Sequence, residues 1–316
     1  MAFTTQNSAH LIRSNVWSTQ LKTVLEDELM GWQYVKMLTE FPDGDTFNMP
    51  SIGQAVVENY VENSPVTYAA MDTGNFTFSV DQYISSGQYI TNKDKQDMFY
   101  MSQLVSSFVP SQARAIQEHM EQKILASGPD GQTASNSNTI NGAKHRFVAS
   151  GTNDVIALQD FARAAYALKK ANVPDMNRIA IVDPSVEITL NTLSNLVNVS
   201  NNPRWEGVIA DGIATGMKFI KNVYGFDVYV SNRLKSGISE TIDANAVTNG
   251  VANVFFSATP ELLPIIGAIR QAPVVDSEYN KDLQREEYVT TCRYGVKFFR
   301  PENFVTIISD SSQVYA

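Results

Sequence analysis

The chain has 316 residues, with 33 acidic side chains against 24 basic ones and a single cysteine. That length can bury one large core or two ordinary ones, and a lone thiol excludes an internal disulfide. The net charge of -9 is the wrong sign for a protein that grips nucleic acid through its phosphates, and the absence of any run of about 18 apolar residues excludes a membrane-spanning helix.

From Asn15 to Val35, the residues Val16, Leu21, Val24, Leu25 and Leu29 fall near helical spacing and predict an amphipathic helix. Between Phe41 and Asn92 the pattern changes to alternation. Phe47 and Met49 stand against Thr46 and Asn48, then Phe76, Phe78 and Val80 against Thr77, Ser79 and Asp81. Turn signals separate these strands at Pro42-Asp43-Gly44 and Asp72-Thr73-Gly74-Asn75. The same stretch holds Asp43, Asp45, Glu58, Glu62, Asp72 and Asp81 but no lysine or arginine.

Lys93 to Ser127 lacks glycine and predicts one helix, roughly 50 Å long at the usual rise. Pro110 should kink or break it near Ser107. Residues 128–153 are rich in Gly, Ser, Asn and Thr, which predicts a long surface loop with one short strand at Arg146-Phe147-Val148. A helix follows from Asp154 to Lys170, then a strand at Arg178 to Val182, after which Asp183 can cap a helix that starts at Pro184. Further strands are expected at Phe226 to Val230 and Val254 to Ser257, while the apolar run Leu262 to Ile269 reads equally as strand or helix. The last strands place Tyr288, Thr290, Cys292, Tyr294 and Val296 on one face and end with Phe304 to Ile308.

No constellation of reactive residues accompanies this plan. His10, His119 and His145 have no ligand-like spacing to other donors, so no metal is expected. The segment Gly212 to Lys218 fails as a phosphate loop, because its lysine does not follow the second glycine and no Ser or Thr comes next. Cys292 lies inside an alternating strand, where a buried structural thiol is the simpler reading. Catalytic, cofactor-binding and metal-binding residues are therefore all expected to be none.

Four segments resemble the major capsid proteins of tailed bacteriophages. LQDFARAAYALKKANVPDMNRIAIVDP at Leu158 to Pro184 resembles the family's helix, turn and strand leading into its axial domain. YGFDVYVSNRL at Tyr224 to Leu234, YGVKFFRPENFVTI at Tyr294 to Ile307, and FSVDQYISSGQYITNKDKQDM at Phe78 to Met98 are similar to three further family patterns, in the family's order. The resemblance implies an α+β Hong Kong 97-type fold: an N-terminal arm (1–40), an extended β-hairpin loop (41–92), a spine helix with peripheral domain (93–153), an axial domain (154–280) and C-terminal peripheral strands (281–316). It further implies a homo-oligomer of hexamers and pentamers that encloses double-stranded DNA without sequence-specific binding or a membrane. The shell would be assembled in the bacterial cytoplasm, with scaffolding, portal and cement proteins as further candidate partners. On this reading Phe47, Met49, Phe76, Phe78 and Val80 meet another subunit, since a two-stranded ribbon cannot hide its own apolar face. Glu58 and Glu62 would seek cations on a neighbour, among Lys93, Lys95, Lys144, Arg146, Arg163, Lys169 and Lys170. The rival readings are an encapsulin-like compartment shell and an unrecognised soluble enzyme.

Overall fold

The computed structural model describes residues 31–38, 46–52, 59, 62–63, 65, 73–97, 101–192 and 219–312. Its elements in chain order begin with β1 (Val35–Met37), β2 (Thr46–Ile52), β3 (Thr73–Ser79) and β4 (Gln82–Thr91), then α1 (Asn92–Asp97) and α2 (Met101–Gly131). Short strands β5 (Thr139–Ile140), β6 (Ala143–Lys144) and β7 (Arg146–Val148) lead to α3 (Leu158–Lys170), β8 (Arg178–Val182) and α4 (Pro184–Thr192). Beyond these come β9 (Phe219–Val223), β10 (Phe226–Val230), β11 (Ile238–Ile242), β12 (Asn245–Ser257), β13 (Ile265–Asn280), β14 (Arg285–Phe298) and β15 (Val305–Asp310). The helix expected over Asn15 to Val35 lies outside the described residues except for its end, which forms a 3-10 turn at Gly31–Tyr34 and the first residue of β1. The segment Gly212 to Lys218 and His10 also lie outside them.

Among the described residues the strands form two large sheets. One has the order β1-β13-β14-β4, and the other β7-β15-β12-β8-β10-β9 with β11 added on β12. The first is a long antiparallel hairpin, β13 and β14, flanked by β4 on one edge and by the short parallel strand β1 on the other. Helix α2 covers one face of this sheet through Ile116 and Met120, which pack on Cys292 and Tyr294. The alternation read at Tyr288 to Val296 is thus explained: Thr290, Cys292 and Tyr294 are the residues turned under the helix.

The second sheet holds the main core. Phe161, Ala164 and Leu168 of α3 pack with Ala180, Val182, Phe226 and Phe255, all essentially without exposure. Local chemistry starts and stops these elements. Asp160, buried in the first turn of α3, accepts the N–H groups of Ala157 and Ser150, each at 2.9 Å. Asp183 accepts the N–H of Ser185 at 2.9 Å ahead of Pro184 in the first helical position, so α4 begins as its sequence predicts. Asn253 in β12 receives the Asp183 N–H and donates to the Ile307 carbonyl, stitching β12 to both neighbours.

Two expectations need correction, and one left open is resolved. Residues 128–131 (Gly-Pro-Asp-Gly) are the last turn of α2 and not the start of a loop. A β-carbon at Gly128 would lie 2.1 Å from the Phe304 ring and one at Gly131 2.6 Å from the Phe298 ring, so the glycines let two aromatic side chains close on the helix. The helix also runs through Pro110 without interruption; that residue is exposed, where water can satisfy the carbonyl a proline leaves unpaired. The apolar run at 262–269 enters β13 at Ile265. That strand continues to Asn280 and returns as β14, so position 280 is a hairpin turn, and β15 lies in the same sheet as β8.

Candidate assembly interface

β2 and β3 form a separate antiparallel ribbon in which Phe47 stands opposite Phe78 and Met49 opposite Phe76. The base of this ribbon folds back over the face of the four-stranded sheet that α2 leaves open. Phe78 and Val80 are buried there against Ile266 and Ala268, with Leu38, Phe47, Met49, Phe76 and Phe299 around them. Phe78 and Val80, expected at a contact between subunits, are therefore covered by their own chain. The alternating pattern foretold a hidden face; it did not say which surface hides it. Phe47, Met49 and Phe76 are half-buried and keep part of their surface exposed.

Gly295 makes the crossing possible. A β-carbon at this position would lie 2.7 Å from the Ser79 carbonyl oxygen and 2.9 Å from the Val80 α-carbon, both backbone atoms that cannot swing aside. Lys297 clamps the same crossing, donating to the Thr77 carbonyl at 2.6 Å and lying 5.0 Å above the Phe76 ring. Gly295→Ala is expected to lower subunit stability by about 1 to 3 kcal/mol through overpacking, read from denaturant midpoints. An unchanged midpoint would mean that the ribbon base is free to lift.

The acidic ribbon region is only partly in view: Glu62 is exposed in a turn, and Glu58 lies outside the described residues. Most of the cations expected to meet these acids are engaged within the chain. Lys144 pairs with Asp243, Arg146 with Glu240, Lys169 with Asp175, Arg163 with Asp160 and Lys95 with Glu286. Lys93 and Lys170 are exposed.

The groups that carry chemistry elsewhere serve packing here. Burial pushes the Cys292 thiol upward, and its sulfur donates to the Gln271 carbonyl. His119 on α2 meets the Tyr294 hydroxyl at 3.0 Å, tying the helix to β14, and burial followed by Lys123 lowers its pKa. Among the described residues no three His, Cys, Asp or Glu side chains gather as a metal site, and no helix is long and apolar enough to cross a membrane.

His145 is fully buried, its Nδ1 meeting the Ala143 carbonyl at 3.1 Å and its Nε2 without a partner. Burial disfavours the imidazolium and lowers the pKa from 6.5, against smaller opposing contributions from the backbone of Ala143 and from Glu302. As pH falls below 6.5, the unfolded chain takes up a proton that the folded one refuses. Stability should decline through that window by at most about 1.4 kcal/mol per pH unit for this group. His145→Gln should flatten the decline in part, since His119 titrates in the same direction; a slope equal to the parent's would remove His145 from the account.

A helix along one face of a long hairpin sheet, a ribbon folded over the other face and a second mixed sheet together make a Hong Kong 97-type capsid subunit. A family model described as phage capsid protein matches residues 75–307, and the chain belongs to that family: it is a major capsid protein of the virion, whose copies assemble into the phage head. Its fold is similar to that of a Mycobacterium phage Che8 chain, with a TM-score of 0.70 and 17% identity over 94% of this chain and 97% of that one. It is also similar to a chain of the cyanophage Pam1 capsid asymmetric unit, at a TM-score of 0.71 and 11% identity with 98% of each chain covered. The capsid structure of cyanophage P-SCSP1u gives 0.69 and 14% over 98% and 94%. No curated protein matches the sequence.

Proposed function

We propose that this subunit works by assembly and not by catalysis, forming hexamers and pentamers that close into a shell around double-stranded DNA in the bacterial cytoplasm. The observation that carries the reading is the division of labour within the fold: α2 and the two sheets pack a core of their own, while among the described residues the β2–β3 ribbon buries Phe78 at its base and leaves Phe47, Met49 and Phe76 half-exposed. On this reading residues 154–280 surround the centre of each ring, and the exposed parts of Phe47, Met49 and Phe76 meet the next subunit. On the same reading DNA is enclosed without being gripped, which the net charge of -9 supports. Scaffolding, portal and cement proteins would act on this shell from outside the subunit's own fold.

Sedimentation and micrographs of the expressed protein test it. Megadalton particles holding nucleic acid support the phage-head reading; particles holding only protein cargo would replace it with a compartment shell, and a small oligomer would reject both. The acids of the ribbon region should set the salt response, because repulsion among them is relieved only where they stay solvated, are screened by salt or meet cations supplied elsewhere. Particle yield of the Glu58→Gln, Glu62→Gln double variant should depend less on salt than that of the parent, and identical curves would reduce these charges to solubility devices.

A further inference from the structure

We infer that β4 joins two copies of this chain edge to edge about a two-fold axis, its open edge pairing antiparallel with the same edge of a second copy. The inference rests on the capsid reading, which makes a second copy the neighbour at hand. β4 is the outermost strand of its sheet, and its inner edge pairs with β14 without a shift from Thr91 opposite Arg285 to Gln82 opposite Tyr294. Its outer edge has no backbone partner among the described residues. The strand reads QYISSGQYIT, with no charge and no proline, and Tyr83 and Tyr89 are 67% and 59% exposed.

Open edges normally carry a bulge, a proline or charges that discourage pairing. Beyond the three residues that the short β1 pairs, the opposite edge of the same sheet is β13, and it has all of them: Pro273, a register that shifts around Gln271 and Val274, and exposed Asp276 and Glu278. β4 has none. An unbulged, uncharged edge of this length is tolerable where something covers it in the working state.

The sequence of β4 points to its own copy as the cover. Gln82-Tyr83-Ile84 recurs as Gln88-Tyr89-Ile90, so an antiparallel pairing centred on Ser86 is self-complementary. Tyr83 then stands opposite Tyr89 of the partner subunit at both ends of the open sheet face. Ser85 stands opposite Gly87 of the partner subunit in the middle, and small central residues let the strands close. Cross-strand aromatic pairs favour this register. β13 paired with itself about Ser277 would instead set Asp276 against Glu278 of the partner subunit, like charges face to face. A two-fold contact is also closed, so it joins two subunits and does not propagate into a fibre.

The test uses full-length Ser85→Cys and Gly87→Cys subunits assembled together and oxidised. A β-carbon at Gly87 meets only the Val289 Cγ2 atom at 3.6 Å and the Tyr288 carbonyl at 4.0 Å, ordinary contact distances, so the second variant should fold. Directly opposed strand positions suit disulfide geometry, and the mixture should give about 10-fold more cross-linked dimer than either variant alone. No enrichment in the mixture overturns the two-fold register. A photo-crosslinker at position 85 in assembled particles should label residues 82–90 of another copy, and labelling of residues 1–30 or of the β2–β3 ribbon overturns the choice of occupant. Ser85→Lys should fold as the parent does yet fail to form particles. Parental yield from that variant would sink the inference while leaving the capsid reading intact, whereas a parent that forms no particles fails the capsid reading itself.

Discussion

Replacing Arg146 by alanine should cost the subunit about 3 to 5 kcal/mol, because it strands a buried carboxylate. The Arg146 and Glu240 side chains are only 2% and 4% exposed. The guanidinium donates from Nε at 3.0 Å and from Nη2 at 2.7 Å to the same Glu240 oxygen, and from Nη1 to the Pro129 carbonyl at 3.0 Å. The other Glu240 oxygen accepts the Ser135 N–H at 2.8 Å. The pair thereby fastens the end of α2 to β7 and β11, which belong to the second sheet. Arg146→Ala leaves Glu240 with one backbone donor in a site closed to water. The double variant Arg146→Met, Glu240→Leu removes both charges and should recover much of the loss. Urea midpoints of the three proteins decide it: equal losses in the single and double variants would show that packing, and not the stranded charge, sets the cost.

Phe78→Ala should cost about 3 to 5 kcal/mol as well, through the cavity it opens in the subunit's own core. Phe78 has no exposure and fills the space between the ribbon base and Ile266 and Ala268. Met49→Ala, on the half-buried rim of the same cluster, should do the reverse and lower particle yield more than subunit stability. Comparing the two by subunit denaturation and by particle yield separates a core position from a contact position. A Phe78→Ala subunit as stable as the parent would return this residue to the interface.

The α/β half was legible because its signals are local. The strand at Arg178 to Val182, the Asp183-Pro184 helix start and the strand at Phe226 to Val230 each carry their own boundary chemistry within a few residues, and the structure places them as the pattern indicates. What the pattern missed depends on distant partners. Gly128 to Gly131 are loop formers by local preference, yet they stay helical where Phe298 and Phe304, remote in sequence, press on them. The apolar alternation at Phe76 to Val80 marks a hidden face without telling which molecule hides it, because periodicity says nothing of the distance along the chain to whatever covers the face. The Arg146–Glu240 pair was equally invisible: 94 residues separate its members, and neither side chain is unusual in its own neighbourhood.

The position of β15 sets a condition on synthesis. This strand pairs on one side with β7, through Thr306 opposite Arg146, and on the other with β12, through Val251 opposite Ser309. A ribosome must therefore deliver residues beyond 300 before the second sheet can close. Until then β7 and β12 wait with open edges while most of the chain is already out, a slow step of the kind that long-range pairing imposes. A chain released early would lack the strand that seals this sheet and would keep two open edges, the kind of surface that favours misassembly.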